Sequence, residues 1–377
     1  MNIYEKQGMR RVINACGRMT KLGVSTVEPK AGEVMQRASQ DYVMIDELME
    51  WAGGKAAQLF SCGGACVCGS ASSGIFLAIA SLLCQGDIGK IKYYHQTVQN
   101  APRDQIIMPL GHDIDYGAPI REMIYLAGVK IQYAGFANTC SLNDIQTQIN
   151  DHTLAVLFVK SHHCVQKNMP DIYEVIRFAR EKEIPCIVDA AAEEDLEGYV
   201  HAGADYVVYS GSKAVCGPTS GIVLCRERSA AEHMRLQYQG VGRLVKTGKE
   251  NIMGLMEALC VYKGSGAEKK PAVTYEDLCE AAERISRLRG CRGETIQDEA
   301  GRNIFRCRIH LKPAETGISA VELKNILEEG NPAIFLRDYL ATQGSLDIDP
   351  RPLKGKDELW EIINRIESIL EKVQEEK

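Results

Sequence analysis

A chain of 377 residues has room for one large and one small domain. Its 45% hydrophobic and 25% charged content suits a globular protein, and a net charge of −6 offers no field for nucleic acid or an anionic membrane. No apolar run is long enough to span a bilayer, and the opening MNIYEKQGMRRVINACG lacks a signal-peptide core. With no export signal, the 14 cysteines are expected to stay reduced in a cytoplasmic protein and to pack as small hydrophobes.

Residues 1–45 read as a glycine-bearing arm; Arg10 to Gly23 shows no helical period. Asp46 to Phe60 is helical, with Leu48, Met49, Ala52, Ala56 and Leu59 on one face. Cys62, Cys66 and Cys68 follow in a Cys-x3-Cys-x-Cys spacing that matches no zinc or cluster motif, so packing is expected and no metal. A short strand, Ala65 to Val67, runs into Gly69-Ser70-Ala71-Ser72-Ser73-Gly74 and then a helix that is apolar nearly all round. That layout aims free backbone N–H groups at an anion, although a packed helix cap explains the serines as well. Between residues 91 and 135, short apolar runs alternate with a helix near Ala118 to Ala127; His112 and Tyr116 lie in the intervening polar loop.

The strand Leu154 to Val159 ends in Lys160-Ser161-His162-His163-Cys164, at the strand end where open parallel sheets bind ligands. After a helix from Ile172 to Lys182, the strand Ile184 to Val188 ends in Asp189, and a carboxylate at a buried strand end needs a partner. Two further apolar runs, Tyr206 to Tyr209 and Ile222 to Leu224, enclose a tight turn carrying Ser210, Ser212 and Lys213. Desolvation there disfavours a charged ammonium and favours a nucleophilic amine. A glycine-rich basic stretch with Arg243, Lys246 and Lys249 is either a phosphate site or a solvated loop. Beyond the linker Lys263 to Pro271, residues 272–377 read as a small α+β domain in which Arg351 follows the last strand.

Four segments, RRVINACG, GSASSG, VDAAAE and YSGSKAVCGPTSGI, together resemble the L-seryl-tRNA selenium transferase superfamily of fold-type-I pyridoxal-phosphate enzymes. GVSTV and VMIDEL narrow the likeness to the ammonia-lyases of that superfamily that act on phosphorylated amino sugar acids such as D-glucosaminate 6-phosphate. The resemblance implies an α/β fold: a large three-layer α/β/α domain over 46–265 with a mostly parallel sheet, an arm contributing to the active site, and the small C-terminal domain. It implies pyridoxal 5'-phosphate (PLP) held as a Schiff base on Lys213, with Asp189 at the pyridine nitrogen and Ser70, Ala71, Ser72, Ser73, Ser210 and Ser212 around the phosphate. His112 is the expected stacking ring, with Tyr116 as the other choice. His162 is the expected acid–base group, ahead of His163 and His112. Arg351 is expected on the substrate carboxylate, and Arg243, Lys246 or Lys249 on a distal phosphate.

The activity so implied is loss of ammonia from the phosphorylated sugar acid to give 2-keto-3-deoxygluconate 6-phosphate, in a homodimer or larger homo-oligomer. Alternatives are a carbon–sulfur or selenium-transfer enzyme acting on a seryl or cysteinyl group, and a non-catalytic PLP-binding relative. Two departures from the tRNA enzymes count against nucleic acid: a shorter chain with little room for a tRNA-binding domain, and an acidic balance.

Overall fold

Near-continuous apolar runs in the middle of the chain become strands buried on both faces, as a parallel sheet covered by helices requires. The computed structural model describes residues 1–161, 164–165, 167–265, 272–298 and 304–375. The chain divides into two units, one of Thr26–Gly266 and one of Met1–Ser25 with Ala267–Lys377.

The larger unit holds a seven-stranded sheet of order β2-β8-β7-β6-β5-β3-β4. Its strands are β2 (Gly64–Cys68), β3 (Gln105–Pro109), β4 (Lys130–Ala134), β5 (Thr153–Val159), β6 (Cys186–Asp189), β7 (Tyr206–Ser210) and β8 (Gly221–Cys225). β3 to β7 pair in parallel, whereas β8 runs antiparallel to both β7 and β2. Every residue of β5 is buried, which is why TLAVLFV carries no polar alternation. Helix α3 (Ala71–Cys84) is buried along most of its length, as its uniformly apolar sequence anticipates.

Two helices precede β2: α1 (Pro29–Gln40) and α2 (Ile45–Leu59). α2 buries Leu48, Met49, Ala52 and Ala56. α1 departs from the unstructured arm expected over 1–45. Proline at its first turn starts it, and Ala31, Val34, Met35 and Ala38 recur at helical spacing along one face, a period that the expectation of an arm overlooked.

In the smaller unit, β9 (Cys291–Gln297), β10 (Phe305–Leu311) and β12 (Ser345–Ile348) form an antiparallel sheet with β10 in the centre. The arm strand β1 (Val12–Ala15) pairs in parallel with β11 (Ala333–Leu336). The first 45 residues are thus divided, with Met1–Ser25 belonging to the smaller unit and α1 to the larger. The buried faces of the helices Tyr275–Ser286, Ala320–Glu329 and Lys356–Glu375 join the core of this unit with Ile13, Cys307, Ile309 and Leu346.

Candidate active site

Three neighbouring pieces of the larger unit build the site: the end of β6, the turn between β7 and β8, and the N-terminus of α3. Asp189 ends β6 and is 6% exposed. Its Oδ1 accepts the Ala191 N–H at 3.0 Å. Burial raises its pKa, opposed by that hydrogen bond and by the charge of Lys213. A buried carboxyl in this condition is completed by a cationic partner, such as a protonated ring nitrogen.

Lys213 sits half-buried on the turn after β7. The turn is closed by hydrogen bonds from Gly211 N to Ser220 O (2.9 Å) and from Gly217 N to Gly211 O (2.8 Å). Ser210 and Ser212 meet at 3.2 Å between their hydroxyl oxygens. The far end of the same hairpin touches α3. A Cβ on Gly221 would stand 2.4 Å from the Ser70 carbonyl and 2.8 Å from Ala71 N, so only glycine lets β8 start there.

Ser70 caps α3 by accepting the Ser73 N–H at 3.1 Å, and the two hydroxyls lie 2.8 Å apart. The N–H groups of Ala71 and Ser72 have no acceptor among the described residues, as the first turn of a helix dictates. Ser72 Oγ is 2.9 Å from the Tyr116 hydroxyl. Tyr116 titrates above its ordinary range through burial, with Asp189 adding to the rise.

His112 lies elsewhere in this region. It is 2% exposed, accepts the Val159 N–H on Nδ1 at 3.2 Å and packs edge-on against Phe158. With Lys160, Val165, Met169 and Asp171 it lines a cavity of about 220 Å³. Burial and the Lys160 charge lower its pKa to about 4. The unfolded ring titrates near 6.5, so between those values the unfolded chain binds more protons. This contribution to stability is full above pH 6.5 and falls by about 3 kcal/mol as the pH drops to 4. His112→Asn, with an amide oxygen to accept the Val159 N–H, is expected to remove that part of the acid slope in urea midpoints between pH 7 and 4.5. An unchanged slope would clear the ring of this role. His162 and His163 lie outside the described residues.

The basic loop approaches the same helix end: Gly69 N donates to Val245 O at 3.2 Å. Arg243 and Lys246 are exposed. Lys249 instead donates to the carbonyls of Ser39 and Asp41 and lies over the Tyr42 ring. Thr247, which the sequence reading passed over, has a buried Oγ1 with no partner among the described residues. A hydroxyl between Lys246 and Gly248 was the available signal. In the smaller unit, Arg351 grips Asp349 with Nε (2.9 Å) and Nη2 (2.7 Å).

Among the described residues no cluster of histidine, cysteine or carboxylate groups is fit for a metal ion, and no helix is long and apolar enough to cross a membrane. Cys66 and Cys68 are buried on β2, where burial pushes the Cys66 thiol up to about 12.

The donor set fits pyridoxal phosphate: a helix end with open N–H groups and hydroxyls for the phosphate, a buried acid for the ring nitrogen, and a lysine within that acid's field. The mostly parallel central sheet and the small domain with an antiparallel sheet are those of the fold-type-I PLP enzymes. The L-seryl-tRNA selenium transferase (SelA) family model matches residues 98–318, and the chain belongs to that family. It is 39% identical over 370 residues to D-glucosaminate-6-phosphate ammonia lyase of Salmonella typhimurium (strain 14028s / SGSC 2262), covering 98% of each chain. A solved structure of a D-glucosaminate-6-phosphate ammonia-lyase superposes with a TM-score of 0.92 at 38% identity, covering 99% of both chains. A 5'-C-glycyluridine monooxygenase-decarboxylase from Streptomyces sp is 31% identical, covering 97% of this chain and 92% of its own.

Proposed function

We propose that this protein is a PLP-dependent ammonia-lyase acting on D-glucosaminate 6-phosphate. The likeness to the Salmonella lyase, sustained over 98% of both chains, carries the choice of substrate. Selenium transfer on a tRNA is disfavoured by the net charge of −6.

When bound, the cofactor supplies an electron sink for the pair left at C2. Asp189 is the proposed holder of a proton on the ring nitrogen. Ala71 and Ser72 N–H with Ser70, Ser73, Ser210 and Ser212 are proposed for the cofactor phosphate. Tyr116 is the preferred ring contact, ahead of His112. Lys213 is proposed to take the proton from C2 as a free amine, since desolvation disfavours its ammonium form. His162 is proposed to donate a proton to the departing C3 oxygen, so that water is lost across C2–C3. The resulting enamine tautomerises to an imine, and water then releases ammonia and leaves 2-keto-3-deoxygluconate 6-phosphate. Arg351 is proposed for the substrate carboxylate, and the exposed Arg243 and Lys246, ahead of Lys249, for the distal phosphate. A homodimer or larger homo-oligomer is proposed as well; the exposed apolar run Tyr42, Val43, Met44 and Ile45 with Trp51 supports it, and sedimentation of the active enzyme reads it.

The test is product analysis with D-glucosaminate 6-phosphate and its dephosphorylated form, beside serine, cysteine and cystathionine. Ammonia and the keto acid phosphate are expected from the first substrate, with the dephosphorylated form bound more weakly. Turnover of cysteine or cystathionine in their place would overturn the assignment.

A further inference from the structure

A ladder of alternating charges runs through the core of the smaller unit. Arg306, on the central strand β10, is 2% exposed; its Nη1 pairs with Asp298 at 2.9 Å and its Nε donates to Asp349 Oδ2 at 3.0 Å. Its Nη2 has no partner among the described residues. Asp349, fully buried, follows β12 and donates its backbone N–H to Ala15 O at 2.8 Å. It accepts from Arg351 three times: backbone N at 3.1 Å and Nε at 2.9 Å on Oδ1, and Nη2 at 2.7 Å on Oδ2. Burial alone would raise the Asp349 pKa, yet these two arginines bring it down to about 2, so it is a carboxylate at any working pH.

Buried ion pairs of this kind are a poor source of stability, because similar volumes of apolar side chain do as well or better. The surrounding Cys307, Ile309, Leu346 and Ile348 show that this core accepts apolar residues readily. What the ladder does achieve is orientation. Two points of contact on Asp349 fix the plane of the Arg351 guanidinium, whose Nη1 edge is thereby directed away from Asp349. Arg306 holds the carboxylate that sets this plane. Gly17 backs it: at φ +103° a residue there is best a glycine, and its Cβ position lies 3.6 Å from Asp349 Oδ2 and 3.7 Å from Arg351 Nη2. The Asn14 side chain ties that turn, donating to Gly17 O at 2.8 Å and accepting from Cys16 N at 3.0 Å.

We propose that Arg306 is a positioning residue for substrate binding, fixing through Asp349 the plane in which Arg351 receives the substrate's carboxylate. The proposal rests on the assignment of Arg351 to that carboxylate. It gives the RRVINACG segment a physical task, the building of the wall behind the receptor.

The test uses the holoenzyme and two non-reacting ligands: the 3-deoxy analogue of the substrate, and the same compound with its carboxylate reduced to an alcohol. Dissociation constants are measured for the parent, Arg306→Met, Arg306→Lys and Arg351→Met, with melting temperatures as the folding control. Arg306→Met is expected to weaken the carboxylate ligand roughly tenfold, as misplacement of one charge-assisted contact implies, and to leave the alcohol unchanged. Arg306→Lys should recover part of the loss. Equal weakening of both ligands, or of neither, overturns the positioning role when Arg351→Met still discriminates between them. If Arg351→Met fails to discriminate, the carboxylate assignment itself falls. Should Arg306→Met not fold, Asp298→Asn keeps the guanidinium without its far anchor and carries the same expectation at about threefold.

Discussion

Replacing Lys213 with alanine is expected to lower ammonia release on the order of 10⁴-fold while leaving the fold intact. The turn is held by backbone hydrogen bonds between Gly211, Gly217 and Ser220, none of which uses the lysine side chain. Loss of the amine therefore removes the proposed base and covalent anchor without loosening the hairpin. Borohydride treatment of the parent is expected to fix a pyridoxyl label on the peptide carrying Lys213 and to bleach its visible band. The variant should retain the cofactor less tightly through the α3 turn and take no label. Added small primary amines should restore a fraction of the rate. Ammonia release at the parent rate in Lys213→Ala would refute the role given to this residue.

Asp189→Asn carries the second large effect, a fall in kcat of about 10²- to 10³-fold with little change in KM. Asparagine is isosteric and keeps an oxygen for the Ala191 N–H, so the change is one of charge. The stability effect should run the other way. A carboxyl whose pKa rises on folding is destabilising above that folded value and neutral below its unfolded one, so an amide relieves a penalty at neutral pH. Cofactor-free Asp189→Asn is thus expected to melt no lower than the cofactor-free parent, while the loaded enzyme loses activity. A drop in the melting temperature of the cofactor-free protein, with kcat preserved, would make Asp189 a structural residue and no more.

The parts of the site that could be read from the sequence were those whose signal is local. Asp189 ends a buried apolar strand and Lys213 lies on the turn between two others, and a polar residue so placed is visible within a window of about ten residues. Ser70 to Ser73 announce a helix start directly against an apolar run, and α3 begins at Ala71. Helix α1 was legible too, in the spacing of Ala31, Val34, Met35 and Ala38 behind Pro29, but the expectation of an arm without helical period passed over it. The choice between His112 and Tyr116 was equally invisible. Both lie in one loop, and only the fold puts one hydroxyl on Ser72 and one imidazole against Phe158 and the Val159 N–H.

The charge ladder shows the same division most clearly. The resemblance alone put Arg351 forward as an anion receptor; what the sequence by itself determined is the mostly parallel sheet, the small second domain and an aspartate at the end of a buried strand. That the plane of Arg351 is set by Asp349, Arg306 and Gly17 was decided only by tertiary structure. Those residues are brought together by the pairing of β10 with β12 and by the Asp349 N–H on Ala15 O at the end of β1. Periodicity, capping and turn chemistry act over a few residues along the chain, and so leave their mark in the sequence. Hydrogen-bond partners three hundred residues apart are chosen by strand register and packing, which no local pattern encodes.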